Sequence, residues 1–112
     1  MAHVTISYLK DGARSEFYPW RRLGTSGPPP DFEKILANPD KWETGPSFEI
    51  DLIGEEAAEE IFDLSNNPGR YNEWQNKTLG APALSVGDLV EVDSEIYLCE
   101  NIGWSLVGVN RG

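Results

Sequence analysis

Five carboxylates in one short stretch are the residues of this chain best placed to do chemistry. In the tract 55–64, EEAAEEIFDL, Glu56, Glu59, Glu60 and Asp63 stand at i, i+3, i+4 and i+7, with Glu55 beside them. On a helix that spacing stacks the acids in one row, neighbouring Cβ atoms lying roughly 5–6 Å apart. Like pairs at this distance each cost about 0.2–0.5 kcal/mol. Glu55 and Glu56 recover part of the cost at the positive N-terminus of the helix; Asp63, near the other end, does not. No lysine or arginine lies within the tract. Such a row suits a basic protein surface, whose approach it would steer. It does not suit calcium, because it lacks a glycine-punctuated loop and a helical row cannot wrap a cation.

A second acidic block covers residues 88–100. Together, the blocks 48–64 and 88–100 hold twelve of the 19 carboxylates and no base, whereas residues 1–47 balance six acids with six bases. Asp88, Glu91 and Asp93 therefore form a second candidate patch for the same partner, provided that the fold brings the blocks together. The remaining candidates for chemistry are weak. His3 is the only histidine and Cys99 the only cysteine, far apart in the chain, so they make no zinc site. Cys99 sits among apolar strand residues, where cysteine behaves as a small hydrophobe, and no base flanks it to activate the thiol. Paired carboxylates serve acid–base chemistry in glycoside hydrolysis, but among 19 acids some pairs reach a useful separation by chance. Neither G-x-x-x-x-G-K-[ST] nor G-x-G-x-x-G occurs. The residues give no catalytic, metal or cofactor signature, and the expectation is a protein that is not an enzyme.

Bulk properties narrow the partners. The chain has 112 residues, enough for a single domain spanning 1–112. A net charge of -10 argues against direct binding to nucleic acid or anionic lipid, which require a basic footprint. A lone cysteine forbids an intrachain disulfide and points to a reducing compartment. The N-terminus has no signal-peptide pattern, and no segment reaches membrane-spanning length. A soluble, cytoplasmic protein is expected.

The elements that must position the acids can be read from periodicity. Residues 84–109 are the most strand-like stretch. Val90 and Val92 alternate with Leu89 and Glu91, Asp93-Ser94 makes a hairpin turn, and Ile96 and Leu98 oppose Tyr97 and Cys99. A turn at 101–103 precedes a third strand beginning at Trp104, completing a meander. Residues 3–9 alternate as a strand, with 14–18 returning as its hairpin partner. The loop 21–30 is rich in Pro and Gly, and Trp20 with Arg21 and Arg22 forms either an exposed anchor at its rim or cover for the core edge. Asp31 can cap a short helix, a Gly45-Pro46 turn follows Trp42, and 48–52 alternates again. In the helix 55–64, Ala57, Ala58, Ile61, Phe62 and Leu64 form the buried stripe. Asn66-Asn67-Pro68-Gly69 stops it, and 71–79 holds one more helical turn around Trp74. The expected fold is α+β: an antiparallel sheet of about five or six strands, one main amphipathic helix packed on one face, and a C-terminal meander that curls toward a partial barrel.

The series IFDLSNNP, LSVGDLVEVD and IYLCENIGWSLV, within residues 56–107, resembles small domains of phages, plasmids and other mobile elements, the YodL-like domain being the nearest. There, a helix ending in an F-x-x-x-N-x-P-like segment precedes an S-L-S-V-[GS]-D-V-V run, a strand with Tyr and Cys, and a closing G-[FW]. Residues 1–55 carry no such motif, and 69–82 depart from the pattern. The resemblance implies an accessory protein in a bacterial host cell and transfers no catalytic residue. Joined to the acidic row, it leads to a non-enzymatic phage or mobile-element protein that binds a basic host-protein surface. The expected role is inhibition of a defence nuclease or DNA-binding factor, at its extreme as a nucleic-acid mimic. The sites are Glu55, Glu56, Glu59, Glu60 and Asp63, then Asp88, Glu91 and Asp93. The alternatives are a scaffolding or homo-oligomerising module, and a small ligand binder or enzyme with an aromatic pocket.

Overall fold

A computed structural model of the chain describes residues 2–10, 37–100 and 103–109. The return strand at 14–18, the Trp20 rim, the loop 21–30 and the helix after Asp31 lie outside the described residues. The elements are β1 (Ala2–Leu9), β2 (Trp42–Ile50), α1 (Gly54–Asn66), α2 (Tyr71–Thr78), β3 (Leu89–Val92), β4 (Glu95–Cys99) and β5 (Trp104–Val109). Short 3-10 turns at Pro39–Lys41 and Pro68–Arg70 lead into β2 and α2. The strands form one antiparallel sheet in the order β2-β1-β3-β4-β5. This is the expected α+β class. The sheet is open, and no pairing among the described residues joins β2 to β5.

Alternation decides which face each strand residue takes. Ala2, Val4, Ile6 and Tyr8 of β1, Val90 and Val92 of β3, and Tyr97 of β4 point to one face. There they meet Ala57, Ala58, Ile61 and Leu64 of α1, Trp74 of α2, and Leu84. The opposite face holds a smaller cluster of Leu9, Leu89 and Leu98, with Trp42, Ile96 and Val107 packed against it. The two alanines of α1 are fully buried, so the helix can lie close to the sheet.

Two local expectations are corrected. Gly45-Pro46 is not a turn before a strand; it lies inside β2, where the register with β1 shifts between Thr5 and Ser7. An edge strand tolerates proline at such an irregularity, since a missing N–H there costs no ladder bond. Gly45 is required there by space: a Cβ would lie 2.5 Å from Tyr8 Cε2 and 2.9 Å from the Ile6 carbonyl oxygen. Phe62 is not part of the buried stripe, being 38% exposed. It lies one residue around the helix from Ile61, toward β5, where Trp104 meets it edge-on.

The segment between α2 and β3 has no regular structure, so its backbone polar groups must find side-chain partners. Ser65 Oγ accepts from Leu84 N–H, and Asn66 Nδ2 donates to the Leu84 carbonyl. Trp74 Nε1 donates to Ala81 O, and the Tyr8 hydroxyl to Pro82 O at 2.7 Å. Burial, and then the Asp88 carboxylate, push the Tyr8 phenol up to about 12. The unfolded chain gives up this proton near pH 10, so above that point it binds fewer protons than the fold and stability falls as pH rises. The contribution of Tyr8 is therefore fully present below pH 10 and is lost as pH rises through about 12. A titration followed by phenolate absorbance is expected to show Tyr8 ionising late, and Tyr8→Phe should remove one phenol from the late part of the curve, the upward-shifted Tyr97 remaining. Ionisation of all tyrosines together near pH 10 would contradict this.

Candidate functional site

The acidic row forms on α1, but not as one uninterrupted surface. The N-terminus of α1 begins after Ile53, whose side chain caps nothing, and Glu55 and Glu56 occupy the first turn. Acids there compensate for the missing cap by facing the positive end of the helix. Glu55, Glu56 and Glu59 are exposed and make no hydrogen bond or ion pair among the described residues.

The other end of the row is neutralised from an unexpected direction. Asn67 Oδ1 accepts from Gly69 N–H and turns the chain sharply after α1. Arg70 thereby returns against the helix, its Nη1 lying 2.5 Å from Glu60 Oε1 and 2.9 Å from Asp63 Oδ2, and its Nη2 2.9 Å from Glu73 Oε2. The Glu60 contact is two-pronged, since Nη2 also donates to Glu60 Oε2 at 3.1 Å. These hydrogen bonds raise the pKa of Arg70, and the Arg70 guanidinium holds Glu73 below its usual range. Glu60 and Asp63 are thus committed within the fold. Arg70 is the one base between Lys41 and Lys77; it stands beyond the helix stop, so the charge count along the helix could not reveal it.

The second patch does not assemble. Asp88 is fully buried: its Oδ1 accepts from Leu9 N–H and its Oδ2 from Ser85 N–H, both at 2.8 Å. It ties the end of β1 to the turn before β3 and offers nothing to a partner. Glu91 alternates with Val90 and Val92, which face α1, so it lies on the opposite side of the sheet. Asp93 turns the β3–β4 hairpin in the left-handed region at φ 55, and its Oδ1 accepts from His3 N–H at 3.0 Å.

The residue that joins the two blocks is Glu95. It lies two positions before Tyr97 and so on the same side of β4, and its carboxylate accepts from the Tyr97 hydroxyl at 3.4 Å. Burial first, then Glu95 and Glu55, hold the Tyr97 phenol above its ordinary pKa. Glu55 and Glu95 therefore approach one phenol, and strand alternation alone carried the signal for it.

Beside the acids lies a groove of about 480 Å³, lined among others by Glu59, Phe62, Asp63, Asn66 and Trp104. Phe62, Asn66, Pro68, Gly103 and Trp104, the marked positions of the F-x-x-x-N-x-P and G-[FW] segments, converge on it from both ends of the resemblance. A larger cleft of about 1170 Å³ opens at the far end of β1 and β2, beside Tyr8, Trp42, Glu43 and Pro82. Cys99 is buried and His3 exposed. Among the described residues no group of His, Cys, Asp and Glu is disposed to hold a metal, and no helix is long and apolar enough to cross a membrane. In comparison with known proteins, the chain matches no family model, no curated protein and no solved structure.

Proposed function

We propose that this is a non-enzymatic binding module that docks on a basic protein surface through the first two turns of α1. The supporting observation is the set Glu55, Glu56 and Glu59, exposed and unpaired among the described residues, while Arg70 absorbs the rest of the row. Acids held without a local counter-ion repel one another in the free protein and gain most from an external cation. Glu95 extends this surface toward the hairpin. In the setting that the resemblance implies, the partner is a cytoplasmic host nuclease or DNA-binding factor, engaged on the basic groove it uses for phosphates. The contact area is narrower than a row of five acids.

The test is a matched pair of charge reversals, each of which shifts the net charge by the same amount. One replaces Glu55, Glu56 and Glu59 by Lys; the other replaces the exposed Asp40, Glu43 and Glu49, on the β2 side. The first is expected to weaken binding to a basic partner purified from host lysate by about thirtyfold or more, because each reversal exchanges an attraction for a repulsion of similar size. The second should leave binding within about threefold, since those acids lie off α1 and act only through long-range attraction that salt screens. Equal losses in the two would reduce the effect to bulk charge and refute the site.

A further inference from the structure

The groove beside α1 has a chemistry of its own. Phe62 is an apolar side chain left 38% exposed. Its ring meets Trp104 edge-on, with centroids 6.4 Å apart and planes at 85°. The walls around this corner carry Glu59 and Asp63, and no described lining residue is basic. Of the two carboxylates, Asp63 already gives Oδ2 to Arg70, whereas Glu59 has no partner among the described residues.

Ring faces carry negative electrostatic potential, so perpendicular aromatic rings beside a free carboxylate favour a cation over a neutral apolar group and exclude an anion. We infer that the groove takes the guanidinium of one arginine side chain, presented by the partner that docks on α1. Charge complementarity selects a cation, and geometry selects arginine over lysine. A planar guanidinium stacks on a ring while donating two hydrogen bonds to one carboxylate; a compact ammonium is more strongly hydrated and makes no such fork. The fold already uses both halves of this recognition on its own cations. Glu60, Asp63 and Glu73 grip Arg70, and Lys77 Nζ lies 5.2 Å from the centroid of the Phe48 ring. This anchor rests on the docking reading above and deepens it by naming the group that is received.

The experiment titrates the isotope-labelled full chain with N-acetyl-arginine amide, and separately with the lysine and norleucine analogues, following the Trp104 indole N–H and the Phe62 amide. Arginine should shift both signals saturably, lysine should bind at least threefold more weakly, and norleucine should leave them in place. Glu59→Gln and Phe62→Leu should each weaken the arginine response at least threefold, while Glu55→Gln should not. If Phe62→Leu disturbs the whole spectrum, the exposed Glu59→Gln carries the test. An arginine response absent from Trp104, unchanged in Glu59→Gln, or matched by norleucine overturns the anchor. Partner binding separates the two proposals. If it survives Phe62→Leu but not Glu55→Lys with Glu56→Lys, the anchor falls and docking stands. If arginine moves Trp104 while partner binding ignores those reversals, docking on the helix N-terminus falls and the guanidinium site stands.

Discussion

Asp88→Ala is expected to lower the free energy of unfolding by about 3 kcal/mol, a large share of the stability of a small domain. The carboxylate is fully buried and accepts two backbone N–H groups, from Leu9 and Ser85. Hydrogen bonds to a charged acceptor contribute about 1.5–3 kcal/mol each, and alanine leaves the buried Leu9 N–H without a partner, while the half-buried Ser85 N–H can turn to water. The loss stays below the sum because removing a buried charge also removes its desolvation cost. Asp88→Asn keeps one acceptor but turns an NH2 toward the second donor, so a loss of about 2 kcal/mol is expected. Urea unfolding at unchanged m-value measures both, and hydrogen exchange should show the Leu9 and Ser85 amides losing protection together. A loss under about 1 kcal/mol with both amides still protected would mean that neither N–H depends on the carboxylate.

Asp88 also illustrates where sequence reasoning stopped. Local periodicity was sufficient for β1, the C-terminal meander and α1, because each strand or helix carries its own alternation or stripe. What periodicity lacks is distance. Asp88 has the composition of an exposed turn residue, and only the arrival of the end of β1 against it, 79 positions away in the chain, buries it. The place of β1 between β2 and β3 has the same origin, since its pairing with Val90 and Val92 closes over most of the chain. Arg70 shows the limit in its mildest form: one sharp turn at Asn67 is enough to carry a base back onto a row that reads as purely acidic. Glu95 was missed among the expected sites, although strand alternation carries its signal. Its alternation with Ile96 places it beside Tyr97, on the side where Glu55 lies.

Trp74→Ala is expected to cost about 4 kcal/mol. The side chain is 2% exposed, its ring packs edge-on against Phe48 at 6.3 Å, and its indole N–H donates to the Ala81 carbonyl at 2.8 Å. The tract 71–79 reads as one helical turn around Trp74, with no apolar stripe of its own. The same fact explains its weight. α2 spans eight residues and Trp74 is its one buried residue, whereas isolated helices shorter than about 12–15 residues are marginal in water. The helix therefore persists because one ring pins it to β2 and one N–H pins the irregular segment beyond it. Trp74→Phe retains the ring contact and drops the hydrogen bond, for an expected loss of about 1–2 kcal/mol. In Trp74→Ala, amides of α2 should exchange freely while those of β3 and β4 stay protected, since the meander pairs with β1 without help from α2. Continued protection of α2 in the alanine variant would show that Arg70 and its three carboxylates hold the helix unaided. Exposed ion pairs are seldom that strong, at about 0.2–1 kcal/mol each, and the ring is the larger of the two effects.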